Sequence, residues 1–127
     1  MYFHYNYEMN IKVGGVVLPD PSEWTYQVGD LDTSGNRDAT GLLHRAYVAT
    51  KINYEFKWNA IEWEMLDTIL KAVKQPKFTL IAPDPRDFGE RYKGKYYVGD
   101  RTGKNHYYLP ERPDVAVFDL KLKFIEY

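Results

Sequence analysis

The clearest pattern along the chain is an alternation of apolar and polar side chains. Ile52, Tyr54, Phe56 and Trp58 alternate with Lys51, Asn53, Glu55 and Lys57. A period of two puts one set of side chains on one face of a β-strand. This strand reads back as far as Arg45, long enough to overhang its sheet. Residues 114–127 repeat the pattern, with Phe118, Leu120, Leu122 and Phe124 pointing one way and Asp119, Lys121 and Lys123 the other. Near the start, Ile11 and Val13 run into Gly14-Gly15 and Val16-Val17-Leu18 returns, which predicts a tight hairpin. Pro19 and Pro21 end its ladder. Shorter strands are predicted at residues 24–31, with Trp24, Tyr26 and Val28 on one face, at 77–82, and at 95–101.

One stretch changes period. Ile61, Met65, Leu66, Ile69, Leu70 and Val73 form a single stripe at helical spacing. Asn59 stands at an N-cap position with Glu62 three residues on, the spacing of a capping box. Glu62, Glu64 and Asp67 come early and Lys71 and Lys74 late, which suits the helix dipole. The pattern predicts one helix from Ala60 to Lys74, ended by Gln75-Pro76. Residues 32–41, 83–95 and 102–113 are polar, without periodicity, and predict loops. The first eight residues precede a second methionine, Met9, and read as an extension arm (residues 1–8) on a single domain (residues 9–127). The order of strands, one helix and more strands predicts a mostly-β fold. It is an antiparallel β-sandwich or half-barrel with one flanking α-helix across an opening and a long protruding hairpin or loop; a single antiparallel sheet backed by the helix is the other arrangement.

Composition narrows the function. The 127 residues suit one domain with a real core. There is no cysteine, which excludes disulfides, thiolate metal sites and a cysteine nucleophile, and fits a reducing compartment. Charges nearly cancel, with 17 Lys+Arg against 18 Asp+Glu, so the basic excess of a nucleic-acid binder is lacking. No run reaches the roughly 18 apolar residues of a membrane helix, and MYFHYNYEMN lacks the basic and apolar regions of a signal peptide. These features predict a soluble protein that stays where it is made. Aromatic residues reach 17%, 12 of them tyrosine, which favours β-structure and contact surfaces with a polar edge.

Candidate chemistry is sparse. His4, His44 and His106 are scattered, none at metal-ligand spacing from another histidine. His44-Arg45 could hold an anion but reads first as a loop entering a strand. Asp32, Ser34, Asn36 and Asp38 imitate the start of a calcium loop, yet Arg37 stands where glycine is needed and Leu43 where a bidentate glutamate belongs. Asp84, Asp87 and Glu90 lie among Arg86, Arg91 and two prolines, a solvated turn more than an acid–base pair. The common nucleophile-elbow, phosphate-loop and dinucleotide motifs are absent. The expectation is therefore no catalytic residue, no cofactor, no metal and no small-molecule substrate. Tyr96, Tyr97, Tyr107 and Tyr108 are candidates for an aromatic contact surface, either for subunits or for a ligand.

Several segments together resemble a family. The opening Ile11 to Pro21, the loop with Ser34, Gly35 and Arg37, the pair His44-Arg45, Thr50-Lys51 leading to Trp58, and Tyr97 to Arg101 are similar to small tail-module proteins of long-tailed bacteriophages and prophages. The likeness runs from Met9 onward and departs at the N-terminal octapeptide, at Asn36 between Gly35 and Arg37, and at Leu43 where methionine is expected. The resemblance implies a tail-tube or tail-tip structural subunit that self-associates as a homo-oligomeric ring and docks to other phage tail proteins. Its implied place is the virion tail, reached from the bacterial host cytoplasm during assembly, with no nucleic acid or membrane as partner. Residues 32–44 would be its assembly loop, with Ser34, Gly35, Arg37, Gly41, His44 and Arg45 as the contact residues. A carbohydrate- or receptor-binding module of a tail tip is the alternative.

Overall fold

The computed structural model describes residues 5–32 and 47–127. Seven strands and one α-helix occur among them: β1 (Ile11–Val13), β2 (Val16–Leu18), β3 (Glu23–Asp32), β4 (Tyr47–Glu62), α1 (Trp63–Ala72), β5 (Phe78–Pro83), β6 (Arg91–Tyr107) and β7 (Val117–Glu126). A 3-10 turn at Pro113–Val115 precedes β7. All seven strands belong to one antiparallel sheet in the order β2-β1-β5-β6-β7-β4-β3. The mostly-β expectation holds.

That order forces the sheet to curl. β2 and β3 stand at opposite ends of it, six strand spacings apart. At about 4.8 Å per spacing a flat sheet would separate them by roughly 29 Å. Only residues 19–22 connect them, and the five steps from Leu18 to Glu23 span roughly 18 Å at full extension. The edges must turn toward each other, and the result is a half-barrel. Side chains hold the curl across its inside. Trp58 Nε1 on β4 donates to the Pro19 carbonyl at 2.9 Å, and the Tyr54 hydroxyl on β4 donates to Pro83 at the end of β5 at 2.8 Å. The Tyr96 hydroxyl on β6 reaches over β7 to the Ile52 carbonyl at 2.6 Å.

The alternating residues of β4 and β7 line this interior. Ile52, Tyr54, Phe56, Trp58, Leu120, Leu122 and Phe124 are buried together with Ile11, Val13, Leu18, Phe78, Leu80 and Tyr96. Phe56 stacks on Tyr54 with centroids 5.5 Å apart and meets Phe124 edge-on at 5.3 Å. Gly14 and Gly15 make the β1–β2 turn with φ of +56° and +91°, conformations that cost glycine nothing. From α1, Ile69 and Val73 enter the core while Met65, Leu66 and Leu70 pack at its margin.

Three expectations need correction. The helix does not begin at Ala60. β4 continues to Glu62 because Ile61 and Glu62 pair with Phe118 and Val117. The Asn59 and Ala60 amides are taken by Ser22 Oγ at 3.0 Å and Asp119 Oδ1 at 2.9 Å. Glu62 is the N-cap and makes no side-chain cap bond, so strand pairing has displaced the capping box. The helix also stops at Ala72, two residues before Lys74. Residues 91–95 and 102–107, read as parts of loops, belong to the 17-residue β6. Apart from these corrections, residues 5–8 lie against the domain. Tyr5 packs on the core and its hydroxyl accepts from the Glu62 N–H at 3.1 Å. The Asp20 carboxylate accepts from the Glu8 and Met9 amides at 3.1 and 2.9 Å.

The Trp58 clamp has a direct test. Trp58→Phe keeps most of the apolar volume but strands the buried Pro19 carbonyl, and should lower unfolding free energy by about 2 kcal/mol in guanidinium titration.

Candidate functional site

Two features at opposite ends of β6 stand out from the core. The first is where the far half of β6 runs along β7. The register shifts between Val98 and Arg101, and again between Asn105 and Tyr107. β4 carries its own irregularity between Trp58 and Ile61, where Ala60 takes φ +55°. Asp119 on β7 ties these irregular points together. Its Oδ1 accepts from the Ala60 N–H, and its Oδ2 lies 2.6 Å from His106 Nε2. Partial burial pushes the Asp119 carboxyl up, but the Ala60 amide and the His106 ring outweigh it and hold the group below its ordinary value. Gly103 lies directly over this strand, where an added Cβ would stand 2.3 Å from the Asp119 carbonyl oxygen. Only glycine permits that approach.

Beside this joint lies a groove of about 400 Å³ between α1 and the β6–β7 ribbon. Leu66, Leu70, Phe118 and Leu120 make its apolar lining, with Arg101 and Lys104 at its rim. The Arg101 guanidinium also donates to the Val73 carbonyl at 2.8 Å and so pins the end of α1 to β6. Trp63 and Tyr108 meet edge-on at 5.9 Å, and Trp63 also packs on Phe118 at 5.8 Å.

The second feature is the turn between β5 and β6. The Asp84 N–H donates to the Glu90 carbonyl at 3.0 Å, and the Asp87 and Glu90 amides donate to Asp84 and Asp87 at 3.2 and 3.0 Å. Arg86 chelates the Asp84 carboxylate through Nε and Nη2. That side-chain contact lowers the Asp84 pKa despite some desolvation. Gly89 turns the chain with φ +80°. Phe88, at the tip, is fully exposed.

The tyrosine candidates do not share one surface. Tyr96 is buried and belongs to the core. Tyr97, next to it on the other face, meets Tyr127 edge-on at 5.0 Å, where the Lys77 ammonium sits 4.8 Å from the Tyr127 ring. Tyr107 and Tyr108 are half exposed at the far end of β6. Burial pushes the Tyr54 and Tyr96 hydroxyls upward, and burial with the Glu126 carboxylate takes Tyr92 to about 12. All three stay protonated donors at neutral pH. Ser34, Gly35, Arg37, Gly41, His44 and Arg45 lie outside the described residues.

Among the described residues no three histidine or carboxylate side chains gather as a metal site. No helix among them is long and apolar enough to cross a membrane. No hydroxyl among the described residues is hydrogen-bonded to the His106 imidazole beside Asp119. Both carboxylate oxygens are already committed to holding strands together.

The fold and these features define a small curled-sheet protein with a grooved end and an apolar tip. The chain belongs to DUF6711, a family of unknown function that matches residues 6–127. No curated protein matches it.

The Asp119 joint predicts a pH signature. Because the folded state holds this carboxyl below its unfolded value, its contribution is complete above about pH 4 and disappears as pH falls further. Asp119→Asn should flatten the loss of thermal stability in that acid range, measured by circular-dichroism melts. Asp119→Ala should cost about 1–2 kcal/mol at neutral pH. Gly103→Ala should cost about 1–3 kcal/mol by prying β6 from β7, read in the same melts.

Proposed function

We infer that this protein is a structural subunit of a phage or prophage tail, acting by self-association and by docking to other tail proteins. One observation carries the self-association: the outer edge of β3. Ten residues long, it pairs only with β4, and no other strand among the described residues covers it. It contains no proline. Tyr26 and Val28 stand exposed on the face that continues the core. Monomeric proteins blunt such edges with short strands, prolines or bulges, whereas the one irregularity of β3 lies at its last step, between Leu31 and Asp32. The opposite edge, β2, is already short at three residues and carries exposed Val16 and Val17. A long open edge meeting another chain gains main-chain hydrogen bonds over its whole length. Near-neutral net charge removes any strong self-repulsion between copies.

The tail assignment itself rests on the resemblance of the segments from Ile11 to Arg101 described above. It places the protein in the virion tail, assembled in the host cytoplasm. Residues 32–44, which run from the end of β3 into its connection with β4, are proposed as the arm that engages a neighbour.

The expected behaviour is a mass that rises with concentration in light scattering, with rings or tubes in negative stain. Removing residues 33–41 should abolish those particles while leaving the circular-dichroism spectrum of the sheet. A strict monomer at high concentration would sink the self-association reading. Unchanged particles after the deletion would dismiss the arm.

A further inference from the structure

The two ends of β6 are chemically complementary, and the geometry points to a head-to-tail contact in which Phe88 of one copy enters the α1–β6–β7 groove of the next. This contact rests on the self-association proposed above and adds a second direction to it. Edge pairing at β3 extends an assembly sideways across strands, whereas the Phe88 contact extends it along them.

The tip supplies an apolar side chain with little freedom to lose. Phe88 is fully exposed, which is rare for a side chain that gains so much from burial. Three backbone hydrogen bonds and the Arg86–Asp84 pair fix the turn that presents it. A pre-ordered tip keeps the entropy cost of docking low. The groove supplies the receptor: Leu66, Leu70, Phe118 and Leu120 line about 400 Å³, room for a phenyl ring.

Charge selects the pairing. Asp84 is neutralised within the turn by Arg86, and the Arg91 guanidinium is turned onto the Met9 and Asn10 carbonyls, which leaves Asp87 and Glu90 flanking Phe88 as exposed anions. The groove rim carries Arg101 and Lys104, and the Asp119 that shares this groove is held by His106 and the Ala60 amide. An acidic tip therefore meets a basic rim.

Within one molecule the two cannot meet. The tip precedes Arg91 at the start of β6, and the groove begins at Arg101, ten residues further along the same strand. At about 3.3 Å per residue the separation is roughly 30 Å. A patch and a receptor on opposite ends of one molecule make a heterologous contact, which propagates from copy to copy as a stack or fibre.

Sedimentation velocity over a concentration series, with negative stain, tests this on the full chain. Phe88→Ser, at a fully exposed position, should raise the concentration needed for end-to-end stacking at least tenfold while leaving edge-paired species. Lys104→Glu should weaken stacking similarly, and adding Asp87→Lys to it should restore most of the loss. Stacking by Phe88→Ser equal to wild type overturns this contact while self-association stands. Loss in Lys104→Glu with a normal Phe88→Ser overturns it too, since some other segment then fills the groove. A wild type that stays monomeric overturns both this contact and the self-association beneath it.

Discussion

The short tether between the two edges of the sheet governs the rest of the molecule. Seven antiparallel strands could lie flat only if another layer covered their apolar face. Here residues 19–22 join one edge to the other across a span too short for a flat sheet. The sheet must therefore bury its face against itself. Everything inside follows from that enclosure: the packed rings of Tyr54, Phe56, Trp58 and Phe124, and hydrogen bonds that leap across intervening strands.

Enclosure also explains the tyrosines. A half-barrel of this size leaves strand ends and turn carbonyls facing the interior, where an unpaired carbonyl is costly. A phenylalanine could fill the space but could not satisfy those oxygens. Tyr54 and Tyr96 do both, with rings in the core and hydroxyls on Pro83 and Ile52. Tyr92 bonds Glu126, whose other oxygen accepts from the Ile52 amide at 2.8 Å. Much of the aromatic content is thus internal scaffolding, and fewer large rings stand exposed, Tyr26 and Phe88 among them.

The parts legible in the sequence are those where burial writes a period. β4, β7, the Gly14-Gly15 hairpin and the helix stripe could all be read because one face of each is covered. The far half of β6 could not. Residues 102–107 are exposed throughout, so their pairing with β7 rests on the backbone and leaves no alternation. The helix start was misread because Asn59 and Glu62 make a sound local cap, while the pairing that defeats it comes from residues 117 and 118, far along the chain. Asp119 looked like an ordinary outward residue of β7, and nothing local reveals that it meets Ala60 and His106. Phe88 did leave a trace: a single large apolar residue in an acidic, proline-flanked turn with no partner in any period. Tyr96 and Tyr97 are neighbours of one residue type, and only the register decides which points inward.

The strand order has a consequence for the timing of synthesis. β7 follows the other six strands in the chain, yet it sits between β6 and β4 in the sheet. Until it emerges from the ribosome, the nascent chain holds two ladders, β2-β1-β5-β6 and β4-β3, with no strand pairing between them. The flanks of β6 and β4 that β7 will cover are then unpaired, and Ile52 and Asn53 wait for Glu126, more than seventy residues later. Such long-range closure is slow. A chain of this topology cannot present a finished groove before β7 is made, because Phe118 and Leu120 of that strand line it.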